Sequence, residues 1–440
     1  MEFESLRKQI ISHDWFPKRS AEYYRWYPKS LHPVERNLHK TFEMSPIEGI
    51  YVHIPFCDEI CSFCPFNKQI TSSEIVDQYV TAIAKEIRLL RGRELTPGLS
   101  FIYFGGGSPS VLTPGQIGKL IDTANKACSF ADGMEITIEA HPRNCTDEYL
   151  RAVKGAGVNR ISSGIQSFSD EILTVISATH VASLSKKAVD TMPKYFENWG
   201  VDLLYRCPGQ TIEKWEEDLN ILLEIAPPEH ISCYTLSLPD DRNQPTVEED
   251  VELAVFAQAR LEAEGYSHYA SCATGGFDYA KPSRECTYER RHWGAPQAPY
   301  AALGSGAIGF LGGMTTVNFH DTQRYVRAAL SGNSTIFSSS TENIEELKRR
   351  YMVLGVKTLN ISLMDYELEF GNPANEDFNQ EFKTLVDNGM IQIDDHTIKL
   401  TNLGRYYVDQ ISEEFWSVAE RNTPHPETNN LRAVEQKANL

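Results

Sequence analysis

Between residues 48 and 236, short apolar runs alternate six times with helix-length amphipathic segments, and few folds accept that rhythm. The runs lie at 49–54, 100–104, 134–140, 158–164, 200–205 and 229–238. Between the first two, Ile75, Val76, Tyr79, Val80, Ile83, Ile87 and Leu90 recur at helical spacing, the mark of an amphipathic helix. Strand, helix and parallel strand join by a right-handed crossover, so repeated units build one parallel sheet covered by helices. A closed eight-unit barrel needs two more units, and beyond residue 240 the rhythm is lost. The expected fold is α/β, a partial (β/α)6 barrel, with its chemistry at the carboxyl ends of the strands.

Cys57, Cys61 and Cys64 follow the first run directly, spaced C-x3-C-x2-C. A cubane [4Fe–4S] cluster takes four thiolates, so three in one loop leave an iron open, and an open metal position is where chemistry happens. Zinc would ask for a fourth ligand and paired knuckles; only His53 lies close and there is no second knuckle. The other six cysteines (Cys128, Cys145, Cys207, Cys233, Cys272 and Cys286) are scattered singly, as buried small hydrophobes are. The loop is therefore expected to hold a catalytic iron–sulfur cluster that binds a small molecule.

At 440 residues the chain is expected to hold a second, smaller unit. Residues 337–415 offer it: helical segments closed by a hairpin near 390–400, a winged-helix-like α+β pattern. That segment lacks a basic face, and the whole chain carries a net charge of −18, which opposes a nucleic-acid footprint. The remaining expected divisions are an extension over 1–47, a barrel core over 48–240, a covering segment over 241–336 and a disordered tail over 416–440. No apolar run approaches the ~20 residues of a membrane span, and the N-terminus lacks the h-region of a signal peptide. A reducing, cytoplasmic setting is expected, with no membrane or nucleic-acid partner.

The cysteine loop, together with motifs farther along the chain, resembles the radical S-adenosylmethionine (SAM) superfamily, and within it the oxygen-independent coproporphyrinogen III oxidase-like branch. The matching stretches are YVHIPFC from Tyr51, FGGGSPS from Phe104, EAHP from Glu139, RISSGIQSF from Arg160, DLLY from Asp202, PGQT from Pro208 and, more weakly, GSGAI from Gly304. The resemblance implies a [4Fe–4S] cluster on Cys57, Cys61 and Cys64, SAM on the fourth iron, and a reductant such as flavodoxin or ferredoxin. It also implies Tyr51, Gly105, Gly106, Gly107, Glu139 and Ile308 at the first SAM. Gly107, Ser108, Gln166 and Asp202 match the site of a second SAM molecule.

Two departures shape the functional expectation. Where the oxidase carries an Arg twelve residues after the Gln, this chain has Ala178, and after the third cysteine it has Pro65-Phe66-Asn67-Lys68. The latter is similar to the oxidase-like (class C) radical SAM methyltransferases and cyclopropanases, which implies transfer of a SAM carbon to an sp2 carbon of a conjugated small-molecule substrate. Coproporphyrinogen decarboxylation or other tetrapyrrole chemistry, and a haem-trafficking chaperone of the same branch, stand as alternatives. The insert 283–294 is expected to cover the open end of the barrel. There His292, as a base, Trp293 and Tyr300 would meet substrate, and Cys286 stands as a radical relay or a buried thiol.

Overall fold

The fold is that of a computed structural model, which describes residues 2–15, 27–34, 36–236, 245–271, 276–341 and 343–423. Six strands lie side by side in chain order, all parallel: β1 (Gly49–Ile54), β2 (Leu99–Gly106), β3 (Phe130–Ala140), β4 (Arg160–Gln166), β5 (Asn198–Tyr205) and β6 (His230–Thr235). Helices return the chain between them: α1 (Ser73–Leu89), α2 (Pro114–Ala127), α3 (Asp147–Gly155), α4 (Ala182–Thr191) and α5 (Ile212–Ile225). The expected six-unit partial barrel is present. α1 buries Val76, Tyr79, Val80, Ile83 and Ile87, the predicted stripe. At α2, Thr113 and Gln116 form a reciprocal capping box, and Pro114 opens the first turn.

The sheet does not stop at six strands. β7 (Phe277–Ala280) pairs antiparallel with β6, and β8 (Tyr300–Leu303) pairs parallel with β1 on the opposite edge. Further antiparallel strands extend it to thirteen. The sequence rhythm misses these edges because each strand is at most five residues long and nearly all join antiparallel, which a β-then-α rhythm does not mark.

The C-terminal unit has helices Ile344–Gly355, Leu363–Phe370 and Ala374–Asp387 around a three-stranded sheet ordered Asn360–Ser362, Thr397–Leu400, Ile391–Ile393. Lys357, 1 % exposed, ties it inward: its Nζ lies 3.4 Å from Asp409 Oδ1 and 5.2 Å from the centre of the Trp293 ring. The expected disordered tail is corrected in part. Val418–Arg421 is helical, and buried Glu420 accepts the backbone N–H groups of Lys29 (2.7 Å) and Ser30 (3.2 Å). Those contacts fasten the chain end to the N-terminal segment; residues 424–440 lie outside the described residues. Among the described residues, no helix is long and apolar enough to cross a membrane.

Candidate functional site

β1 ends at Ile54, and the chain passes straight into the cysteine loop, so the strand delivers Cys57 to the carboxyl end of the barrel. Two backbone hydrogen bonds lash the glycine loop after β2 onto it: Gly107 N–H to Ile54 O (2.8 Å) and Ser108 N–H to Phe56 O (2.9 Å). A Cβ on Gly107 would stand 2.9 Å from Ile54 O and 3.0 Å from Cys57 Sγ, so only glycine lets the two loops touch. Gly106 has φ +116°, and a Cβ there would meet the His53 ring at 2.6 Å, a conformation and a space that glycine alone supplies.

Cys57, Cys61 and Cys64 form no disulfide and are partly exposed. Burial pushes the Cys57 thiol up to about 12, and the neighbouring Cys64 and Cys61 add to the rise while Lys68 opposes it. Among the described residues, no group converges on a site for a single ion. A cubane asks for something else, thiolates spread over separate irons. Three thiols on one loop, near enough for Cys61 and Cys64 to act on Cys57, fit that demand.

Glu139 stands at the end of β3 facing the same loop. Its carboxylate accepts the Tyr103 hydroxyl (2.8 Å) and the Gly106 N–H (3.2 Å). Burial pushes its pKa up to about 7, with the charge of Asp202 adding to the rise. A Cβ on Gly105 would sit 3.2 Å from Glu139 Oε1, so the glycine keeps that oxygen uncovered. Asp202 on β5 accepts Ser162 Oγ (3.4 Å), and burial, followed by Asp278, pushes its pKa up to about 6. Asp202, Ser232 and Asp278 share one register row across β5, β6 and β7, and Ser232 Oγ donates to Asp278 (2.6 Å). The lumen wall thus carries these carboxylates together with one buried guanidinium, Arg160, whose charge opposes the rise at Glu139 and Asp202.

Gln166, at the last position of β4, has φ +64°. A non-glycine residue in the left-handed region costs about 1–3 kcal/mol and concentrates at functional sites. The structure thus brings Cys57, Gly105–Gly107, Ser108, Glu139, Gln166 and Asp202 to the carboxyl ends of successive strands. Ile308, on the strand next to β8, packs with Val317 and Leu31, while Phe310 two residues on packs against the cluster of Tyr103 and Tyr51.

The insert behaves differently from the expectation. Helix α6 (Thr287–Trp293) caps the amino end of the barrel, not its open carboxyl end. Its first residue donates backbone and hydroxyl hydrogen bonds to Glu135, five residues before the end of β3, and Arg291 pairs with Glu48, just before β1. Tyr288 rises from it into the lumen, stacked on Tyr51 with ring centroids 5.3 Å apart and 4.6 Å from Tyr103. Tyr51 in turn reaches His53 Nδ1 (3.1 Å). His292 is enclosed by Tyr288, Trp293 and Tyr300, and burial drives its pKa down to about 3. Cys286 lies 3.7 Å from Glu135 and is pushed well up by burial. Both sit in the barrel floor, away from the cysteine loop. Sequence reasoning missed Tyr103 and Tyr288; period-two spacing from Gly105 places Tyr103 on the lumen face, whereas nothing local marks Tyr288.

A family model described as the Radical SAM superfamily matches residues 51–222, and one described as the HemN C-terminal domain matches 345–407. The chain is 29 % identical to the heme chaperone HemW of Bacillus subtilis (strain 168), over 84 % of its own length and 99 % of that protein. It is 32 % identical to the heme chaperone HemW of Haemophilus influenzae, over 60 % of this chain and 71 % of that one. The solved structure of coproporphyrinogen III oxidase (HemN) from Escherichia coli superposes with a TM-score of 0.76 at 22 % identity, covering 90 % of this chain and 97 % of that one; this likeness concerns the fold. The expectation of methyl transfer or cyclopropanation is overturned by these relatives. A protein matched along 99 % of its length carries the name of a haem chaperone, so Pro65-Phe66 does not mark a methyltransferase.

Proposed function

Because the chain belongs to the radical SAM superfamily, in the branch that holds the HemW and HemN proteins, we propose that it is a haem-handling chaperone built on a SAM-binding barrel. One observation carries the reading: the match to HemW runs through both barrel and C-terminal unit, over 84 % of this chain. Superfamily membership implies a [4Fe–4S] cluster and SAM. Cys57, Cys61 and Cys64 would hold the cluster; when bound, it supplies one electron for cleavage of a SAM carbon–sulfur bond. Gly105 to Gly107 would admit the methionyl group against bare backbone, and Glu139, oriented by Tyr103, would accept its ammonium. A second SAM beside Gly107, Ser108, Gln166 and Asp202 belongs to the same proposal, and equilibrium dialysis counts it.

Charge supports a carrier over a decarboxylase. Ala178 stands where the oxidase has Arg, so one charge contact of the oxidase is missing. The lumen itself holds Glu139 and Asp202 beside the buried guanidinium of Arg160. The apolar macrocycle instead suits the rim, where Ile60 and Phe66 of the cysteine loop are 46 % and 42 % exposed. The setting is reducing and cytoplasmic, in line with the eight free cysteines among the described residues. An absorption titration of haem into the anaerobically reconstituted chain tests the reading. We expect saturable, stoichiometric binding that weakens about tenfold (about 1.4 kcal/mol) in Phe66→Asp with iron content unchanged. Absence of saturable binding to the wild-type chain would sink the proposal.

A further inference from the structure

The turn before α4 carries Thr179, whose hydroxyl stands between the cysteine loop and His141 of the Glu139 motif. Thr179 Oγ1 lies 3.6 Å from Cys61 Sγ and 3.0 Å from His141 Nε2. The backbone N–H of Arg143 donates to His141 Nδ1 (3.2 Å). A backbone N–H can only donate, so Nδ1 is the acceptor and the proton of the neutral ring sits on Nε2. Burial, with His180 and Arg143 beside it, keeps the ring neutral, its pKa near 4. Nε2–H therefore donates to Thr179 Oγ1, and the single hydroxyl proton is left to point at sulfur. Once Cys61 is a thiolate ligand it has no proton of its own, which fixes the direction of the contact.

The turn is held in place from both sides. The Arg143 guanidinium donates to Thr179 O (2.9 Å) and to Glu59 Oε1 of the cysteine loop (2.9 Å). His180 Nε2 lies 3.0 Å from Ile165 O, and Ser62 Oγ donates to Ile176 O (3.3 Å). The chain Arg143 N–H, His141, Thr179, Cys61 is thus a row of aligned donors ending on one thiolate.

We propose that Thr179, oriented by His141, donates a hydrogen bond to the Cys61 thiolate and raises the reduction potential of the cluster bound there. A donor to a ligand sulfur favours the more negative, reduced cluster over the oxidised one. Thr179 is a positioning residue, acting through Cys61. The inference rests on the assignment of the cluster to the cysteine loop.

Potentiometric titration of the anaerobically reconstituted full chain, read by low-temperature EPR, tests it without recourse to activity. Thr179→Val is expected to lower the ratio of reduced to oxidised cluster about tenfold at a fixed solution potential, a negative shift of about 59 mV for a one-electron couple. Thr179→Ser keeps the hydroxyl and the wild-type value; His141→Ala shifts the same way by less. A Thr179→Val chain with full iron content and the wild-type potential overturns the inference, as does a Thr179→Ser shift as large as that of valine. Should Thr179→Val fail to hold a cluster, His141→Ala decides: a negative shift supports the bond and an unchanged potential refutes it. A wild-type chain that takes up no iron sinks the cluster assignment itself, a failure separable by metal analysis.

Discussion

Gly106 carries the tightest constraint of any residue in the site. Its φ of +116° is unfavourable for an L side chain, and the space a methyl would need is filled by the His53 ring. That ring is held in turn by the Tyr51 hydroxyl and by Asn67 O, 2.9 Å away. Gly106→Ala is therefore expected to destabilise the fold by about 1–3 kcal/mol and to weaken SAM binding; urea unfolding and equilibrium dialysis read the two effects. Wild-type stability in that variant would show that the loop relaxes freely. Cysteine replacement acts on a different quantity. Cys57→Ala leaves a small void at a partly exposed position, so the chain is expected to fold while its iron content after reconstitution collapses. Retention of the full iron complement would remove Cys57 from the ligand set.

At the scale of elements, two helices invite measurement. α1 carries Glu86, whose carboxylate accepts Thr335 Oγ1 (2.6 Å) and the Tyr325 hydroxyl. Burial pushes its pKa up to about 8. Between about pH 4.5, the ordinary carboxylate value, and about 8, the folded chain holds a proton that the unfolded chain has lost. Stability from this group is complete at the acid end and falls as pH rises, by up to about 1.4 kcal/mol per pH unit across that window. Glu86→Gln is expected to flatten the slope of urea midpoint against pH, leaving the smaller contributions of Glu139, Asp202 and Asp218, which have the same sign. An unaltered slope would place the proton elsewhere. α6 is the other. Tyr288 fills the lumen against Tyr51 and Tyr103, so Tyr288→Ala is expected to cost about 3–5 kcal/mol in chemical denaturation; a loss below about 1 kcal/mol would mean that the floor repacks.

These elements also explain what is legible in the sequence. The six core strands and α1 announce themselves because each carries its own period, two or 3.6, within a few residues. The cysteine loop, Gly105–Gly107 and Glu139 are readable because a motif and a strand end coincide. β7, β8 and the seat of α6 are fixed by pairing across more than forty residues of chain, with Phe277 opposite Cys233 and Tyr300 opposite Gly49, and local periodicity does not encode such partners. His292 reads as a base in the sequence because the burial that disarms it is set by Tyr288, Trp293 and Tyr300 together, a tertiary fact. Thr179 is silent in the sequence for the same reason: its partners, Cys61 and His141, are distant along the chain.

At the scale of the whole molecule, the segment around Tyr27 to Ser30 is fastened to the last described helix. Glu420 near the C-terminal end of the described chain receives Lys29 and Ser30, and the Tyr27 hydroxyl donates to Glu346 (2.6 Å) while accepting Ser417 N–H (3.0 Å). Glu420→Ala leaves two N–H groups without their acceptor and is expected to cost about 1–3 kcal/mol, read as a lowered urea midpoint. The same architecture frames the functional claim. On the proposed reading, the apolar exposed loop at the barrel's mouth holds the porphyrin and no decarboxylation takes place. The most direct test incubates the reconstituted, reduced protein with SAM, haem and carboxyl-labelled coproporphyrinogen III, following bound haem and released label together. We expect haem to be bound and recovered intact, with no labelled CO2. Release of labelled CO2 in step with SAM consumption would contradict it.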